Sequence, residues 1–150
     1  AYDKAKIKED LYLIGNPNIT SENSKVKVLP FIPIEELMTY IVNSKFSVIP
    51  LDDFNYSFAQ LTLLQQMALG VPILAADVPA IKDYANESEG VVSYIPYNVD
   101  SLKEKLSYMS ERSRDKLTQM GESNIAAVKS TLSEQDMAKK IEAVCKSLLN

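Results

Sequence analysis

Short apolar runs alternate with stretches of helical period from Leu11 to Leu106, and this alternation narrows the fold more than any other feature of the chain. "EDLYLIGNPN" predicts a buried strand over Leu11 to Ile14, closed by Gly15 and a turn at Asn16-Pro17. "SENSKVKVLPF" supplies a polar turn and a second strand around Val26 to Leu29. From Pro33 the period lengthens. Ile34, Leu37, Met38 and Ile41 fall at i, i+3, i+4 and i+7, an amphipathic helix with proline near its start. Glu35 and Glu36 read as its charged first turn, favourable at the positive end of the helix dipole. "KFSVIPL" predicts a third strand, followed by a helix lined by Leu61, Leu64, Met67 and Ala68, with Gly70 at its carboxyl end. "VPILAAD" is a fourth strand, "PAIKDYA" a short helix opened by Pro79, and "EGVVSYIP" a fifth strand. Strands alternating with helices predict a doubly wound, Rossmann-like α/β domain: one parallel sheet holding all these strands, with helices on both faces.

After Asn98 the chain turns helical and stays so. Ser101 with Glu104 has the spacing of a capping box, and Ser133 with Asp136 is a similar start signal. Met137, Ile141, Val144 and Leu148 make one apolar face of the last helix, Cys145 reads as a packing residue beside them, and some of that face is expected to be exposed. Tyr94, Tyr97 and Tyr108 are spread among core and rim positions and form no stacking platform.

Composition removes several function classes. The chain has 150 residues, 46% of them hydrophobic, enough for one domain, residues 1–150, with a sizeable core. A net charge of −4 with scattered Lys and Arg lacks the electrostatic footprint of a nucleic-acid binder, so no nucleic-acid partner is expected. With no histidine, a hydrolytic triad or a zinc site has lost its commonest base and ligand, and no metal or cofactor is expected. The single cysteine rules out a disulfide framework and suits a reducing, cytoplasmic setting. No apolar run is long enough to span a bilayer.

In a doubly wound sheet, ligands bind beyond the carboxyl ends of the strands. Those ends are expected at Gly15, Pro30-Phe31, Leu51 to Tyr56, Asp77 and Ile95-Pro96. The junction "LDDFNYSFAQ" opens a helix there. Ser57 and Gln60 have capping-box spacing, which needs no ligand. The same helix start offers free N–H donors and about half a positive charge to an anion, and Ala59 is small enough for a phosphate to approach the backbone. There is no G-x-G-x-x-G or Walker loop, so a phosphate site must rest on the helix start itself.

"LLQQMALGVPILAADVPAIKDY" resembles the donor-binding core of retaining glycosyltransferases of the GT-B fold, family 4 type, whose segment reads Leu-Glu-Ala-Met-Ala-x-Gly-x-Pro-Val-Ile-Ala. "DLYLIGNP" looks like that family's second strand, and "VKVLPFIPIEELMTYIVNSKFSVIPL" like its base-binding strand, helix and following strand. "EGVVSYIPYNVDSLKEKL" looks like the final strand and helix, so the resemblance covers about Asp10 to Leu106. The family's two glutamates fall at Ser57 and Gln65, and a Ser-x-x-Gln-Leu-Thr-Leu-Leu-Gln version found in some branches matches this chain better.

The resemblance implies a C-terminal domain that binds a nucleotide-diphosphate sugar. Its diphosphate would rest on the backbone of Phe58, Ala59 and Gln60, with the base against Phe31-Ile32 and Gln65 facing the ribose. Asp52-Asp53 reads as a solvated turn; by the resemblance, Asp53 stands where a carboxylate could take over from the glutamate replaced by Ser57. Transfer would be metal-independent, to an acceptor such as a polysaccharide or lipid-linked glycan held by a second domain, through which the protein would also meet a membrane surface. The chain enters at what resembles the family's second strand, so the first strand and its basic residues are expected to be missing, and the domain alone to be inactive. The rival reading is a non-catalytic α/β interaction or regulatory module, favoured by the loss of both glutamates. A flavodoxin-like cofactor binder is disfavoured because no Ser/Thr/Gly phosphate loop follows the first strand.

Overall fold

The computed structural model describes residues 1–15, 18–53 and 59–148. The expected turn at Asn16-Pro17, and Ser57 and Phe58 of the candidate site, lie outside this set. Along the chain run α1 (Tyr2–Ala5), β1 (Leu11–Ile14), β2 (Val26–Leu29), α2 (Ile34–Asn43), β3 (Ser47–Ile49) and α3 (Gln60–Ala68). They are followed by β4 (Ile73–Ala76), α4 (Pro79–Ala85), β5 (Val91–Tyr94), α5 (Val99–Ser110), α6 (Arg114–Ser130) and α7 (Glu134–Leu148).

Every strand pairing is parallel. β1 lies beside β2, Leu11 opposite Val26 and Ile14 opposite Leu29. β4 lies between β3 and β5, Ser47 opposite Ile73 and Ala76 opposite Tyr94. These pairings make two ladders, of two and three strands, and so correct the expectation of one continuous sheet. The break falls between β1 and β3, which do not pair but line a common cleft of about 1650 Å3.

The core gathers on the three-stranded ladder. All four residues of β4 are buried, as an apolar central strand covered on both faces requires. Leu63 and Met67 of α3, Ile81 of α4 and Met109 of α5 pack around it, each fully buried or nearly so. Asn124 of α6 is the polar centre of this half. Its Nδ2 donates to the carbonyl of Val71 at 2.7 Å, and its Oδ1 accepts from the Ser88 hydroxyl at 2.7 Å, so the cost of burying it is offset. The other half is thinner: β1, β2 and α2 contribute no buried residue.

Side-chain caps set the starts of the last three helices, and two helix starts are shifted from the sequence reading. α5 begins at Val99 because the Asn98 side chain accepts from the Ser101 N–H; the Ser101 hydroxyl instead accepts from the N–H of Ile95. α3 begins at Gln60 with Ala59 as its cap residue, two positions beyond Ser57. Ser113 and Ser133 cap α6 and α7 through the N–H groups of Lys116 and Asp136. α7 buries nothing: Met137, Ile141, Val144 and Leu148 are all more than half exposed, and Cys145 is exposed rather than packed.

Candidate functional site

The carboxyl ends of the strands form two groups, one on each side of the cleft. At the end of β2 the chain turns through Phe31 and Ile32. The Phe31 ring lies against Gly15 at the end of β1, so close that a Cβ on Gly15 would meet it at 3.3 Å. Phe31 is 84% exposed, an apolar ring presented to solvent by a short turn, while Ile32 is half-buried.

The second group belongs to the three-stranded ladder. β3 runs out through Pro50 and Leu51 to Asp52 and Asp53, both exposed. The Asp53 N–H donates to the Tyr97 hydroxyl at 3.2 Å, which ties the loop after β3 to the loop after β5. Burial raises the Tyr94 hydroxyl above the ordinary phenol range, and the Asp52 carboxylate adds to that rise. Ala59 then enters α3 in the left-handed region at φ 62°, half-buried against the core. Gln60 sends its side-chain amide to the Ala80 carbonyl on α4 at 2.8 Å, fixing the first turn of α3. Gln65, one turn further along α3, is exposed and lines the cleft with Thr62. Its neighbour Gln66 is buried and accepts from the Ser47 hydroxyl of β3.

Of the residues proposed from the sequence, Asp53, Ala59 and Gln60 thus sit at the end of the three-stranded ladder, and Phe31 and Ile32 at the end of the two-stranded one. Gln65 faces the cleft that separates β1 from β3. Sequence reasoning gives Tyr97 no role beyond a core or rim position. Its hydroxyl reaches Asp53, and it too holds a positive φ, of 56°, while remaining 75% exposed. The signal that could have found it is the Pro96-Tyr97-Asn98 turn directly after a strand. Charge at this end is mainly negative: Lys82 of α4 pairs with Asp77 at 3.5 Å. Among the described residues no group of acidic, cysteine or histidine side chains is placed to hold a metal ion, and no helix is long and apolar enough to cross a membrane.

A parallel, doubly wound arrangement whose loops gather at the carboxyl ends of its strands is a Rossmann-like α/β domain, a class that binds its ligands at that end. The sequence model of the glycosyl transferases group 1 family matches residues 3–112, well over half of the 150 residues, and the chain belongs to that family. Its fold is similar to that of sucrose-phosphate synthase from Thermosynechococcus elongatus, with a TM-score of 0.71 at 16% identity. The likeness covers 93% of this chain and 38% of that one, so this chain spans well under half of the solved relative. No curated protein sequence matches it.

Proposed function

We propose that this chain is the nucleotide-sugar-binding, C-terminal half of a GT-B glycosyltransferase of the family 4 type. The observation that carries the reading is the start of α3, the first helix after β3, whose first turn is bonded to α4 where that helix follows β4 at the carboxyl end of the ladder. The first N–H groups of a helix have no partner within it, and with the dipole they suit a diphosphate. The phosphates rest on the backbone of Phe58, Ala59 and Gln60, and the base lies against Phe31 and Ile32. Gln65 hydrogen-bonds the ribose as donor and acceptor in place of a glutamate. Asp53, held by Tyr97, is the carboxylate nearest the start of α3 along the chain, and we assign it to the donor sugar. The chemistry is hexosyl transfer without a metal, driven by stabilising the leaving nucleoside diphosphate as the glycosidic bond breaks. A second domain supplies the acceptor site, for a polysaccharide or lipid-linked glycan, and the membrane-surface contact. The protein acts in the cytoplasm, and this domain alone is inactive.

Calorimetric titration with UDP, GDP, ADP and UDP-glucose tests the donor site. Wild type should bind one nucleoside diphosphate weakly, because no Lys or Arg lies between Ile49 and Val71 to neutralise the phosphates. Ala59→Asp puts a negative charge where phosphate oxygens sit, and aspartate tolerates the left-handed backbone there. Binding should weaken by about 1–3 kcal/mol while folding stability holds. Equal binding by wild type and variant would make the junction a core helix only, and would favour the non-catalytic module.

A further inference from the structure

Tyr97 combines a strained backbone with an uncovered ring. Its φ of 56° lies in the left-handed region that bulky side chains rarely adopt. Its side chain is largely exposed, so burial of the ring returns little. Glycine or asparagine would hold the same turn at less cost. The two tyrosines grouped with it in the sequence are covered in different ways. Tyr94 is buried in the core, and the Arg112 guanidinium lies 3.9 Å from the centre of the Tyr108 ring. Among the described residues the Tyr97 ring has no aromatic or cationic partner.

The ring is nevertheless held in place. Its hydroxyl accepts from the Asp53 N–H at 3.2 Å. The loop that carries it is braced by three further bonds. The Ile95 N–H donates to the Ser101 hydroxyl at 3.0 Å, and the Asn98 N–H to the Ile95 carbonyl at 3.3 Å. The Asn98 Oδ1 accepts from the Ser101 N–H at 2.9 Å. A ring ordered in advance loses little freedom when a ligand settles on it.

The chemistry around the ring selects the ligand. Its hydroxyl end meets Asp53, and the carboxylates of Asp53 and its neighbour Asp52 are exposed. Carboxylates accept from hydroxyl groups and repel anions. An aromatic face takes apolar C–H surface. A pyranose offers both, with C–H groups on one face and hydroxyls around its rim. A nucleobase lacks the hydroxyls, and a phosphate lacks the apolar face.

We propose that Tyr97 is a platform for the hexose ring of the donor. The C–H face of the sugar lies on the tyrosine ring, and a rim hydroxyl donates to the Asp53 carboxylate. The sugar is the donor's because Asp53 and Ala59 belong to one junction between β3 and α3, where the diphosphate is placed. The inference rests on that donor-site reading and adds a sugar subsite to it.

The test is calorimetric titration with three pairs: UDP and UDP-glucose, GDP and GDP-mannose, ADP and ADP-glucose. Wild type is compared with Tyr97→Asn and Tyr97→Phe. Asparagine tolerates the left-handed backbone, so the loop keeps its shape without the ring. Wild type should bind one nucleotide sugar about three- to tenfold more tightly than its parent nucleoside diphosphate. Tyr97→Asn should lose that margin while its affinity for the nucleoside diphosphate holds, and Tyr97→Phe should keep it. Nuclear Overhauser contacts from the ring of residue 97 to the sugar C–H protons should appear in wild type and in Tyr97→Phe. The platform is overturned if wild type shows no margin, or if the margin survives Tyr97→Asn. It is also overturned if Tyr97→Asn weakens both members of the pair alike, which would set the ring against the nucleotide. Loss of the margin in Tyr97→Phe would overturn it too, leaving only the hydroxyl tie to Asp53. In all these cases the diphosphate still binds and the donor site stands. If none of the six compounds binds, the donor-site reading fails and the platform falls with it.

Discussion

At Ala59 the backbone holds φ 62° and ψ 3°, a conformation that costs an L-residue about 1–2 kcal/mol. Tyr97 holds φ 56°, and its hydroxyl is hydrogen-bonded to the N–H of Asp53, six residues before Ala59. Lys6 also has a positive φ, but it caps the end of α1, where that conformation is ordinary. Strain kept at the junction proposed to hold the diphosphate fits a geometry retained there at a cost in stability. Ala59→Gly should therefore stabilise the chain by about 0.5–1 kcal/mol, the relieved strain exceeding the added freedom of the unfolded state. The midpoint of urea unfolding reads this directly, and a fall in the midpoint would show that Ala59 is not strained.

Between elements, α6 comes backbone-close to the turn that follows α3. Gly70 ends the α3 segment at φ 71°, and a Cβ on Gly121 of α6 would lie 2.0 Å from the Gly70 carbonyl oxygen. Backbone meets backbone there, so no rotamer relieves the clash, and Gly121→Ala should cost about 2–3 kcal/mol or more in chemical denaturation. The sequence showed Gly70 through its place after an apolar helical period, but Gly121 stands inside a helix with no local mark of its partner. The same contrast runs through the whole reading. The strands at Leu11, Val26, Ile73 and Val91 were legible because short apolar runs between turn residues depend on local pattern. So was the parallel pairing, which follows from the alternation with helices. The break between β1 and β3 was not legible, because pairing depends on which strands are present across the sheet. The cap of α5 moved from Ser101 to Asn98 because two polar residues competed for one helix start, and spacing alone does not decide between them. At the candidate site, the hydrogen bond from Gln60 Nε2 to the Ala80 carbonyl of α4 is set by tertiary packing and has no mark in the local sequence.

Across the molecule, the two ladders are tied at the amino ends of their strands by Glu9, Lys45 and Ser110. The Glu9 carboxylate accepts from Lys45 at 2.5 Å and from the Ser110 hydroxyl at 2.6 Å, while Lys45 also donates to the Ser110 carbonyl. Burial alone would raise the Glu9 pKa; the hydrogen bonds from Lys45 and Ser110 outweigh it and hold the carboxyl at about 2, below its ordinary value of 4.5. A carboxyl whose pKa is depressed by folding stabilises the native state above its unfolded pKa, and that contribution is lost as pH falls through the folded one. Glu9 and Lys45 are each about one-third exposed, so solvent screening reduces the worth of the cluster to about 1–2 kcal/mol. Glu9→Gln should therefore lower stability by about that amount at pH 7. The deficit should stay constant down to pH 5 and close between about pH 4.5 and 2, where the wild-type carboxylate takes up its proton. Other acidic groups titrate in both proteins and cancel in the difference, so paired urea denaturations at a series of pH values isolate this one. A deficit unchanged from pH 7 to pH 2 would mean that the ladders are tied by packing and not by the Glu9 charge.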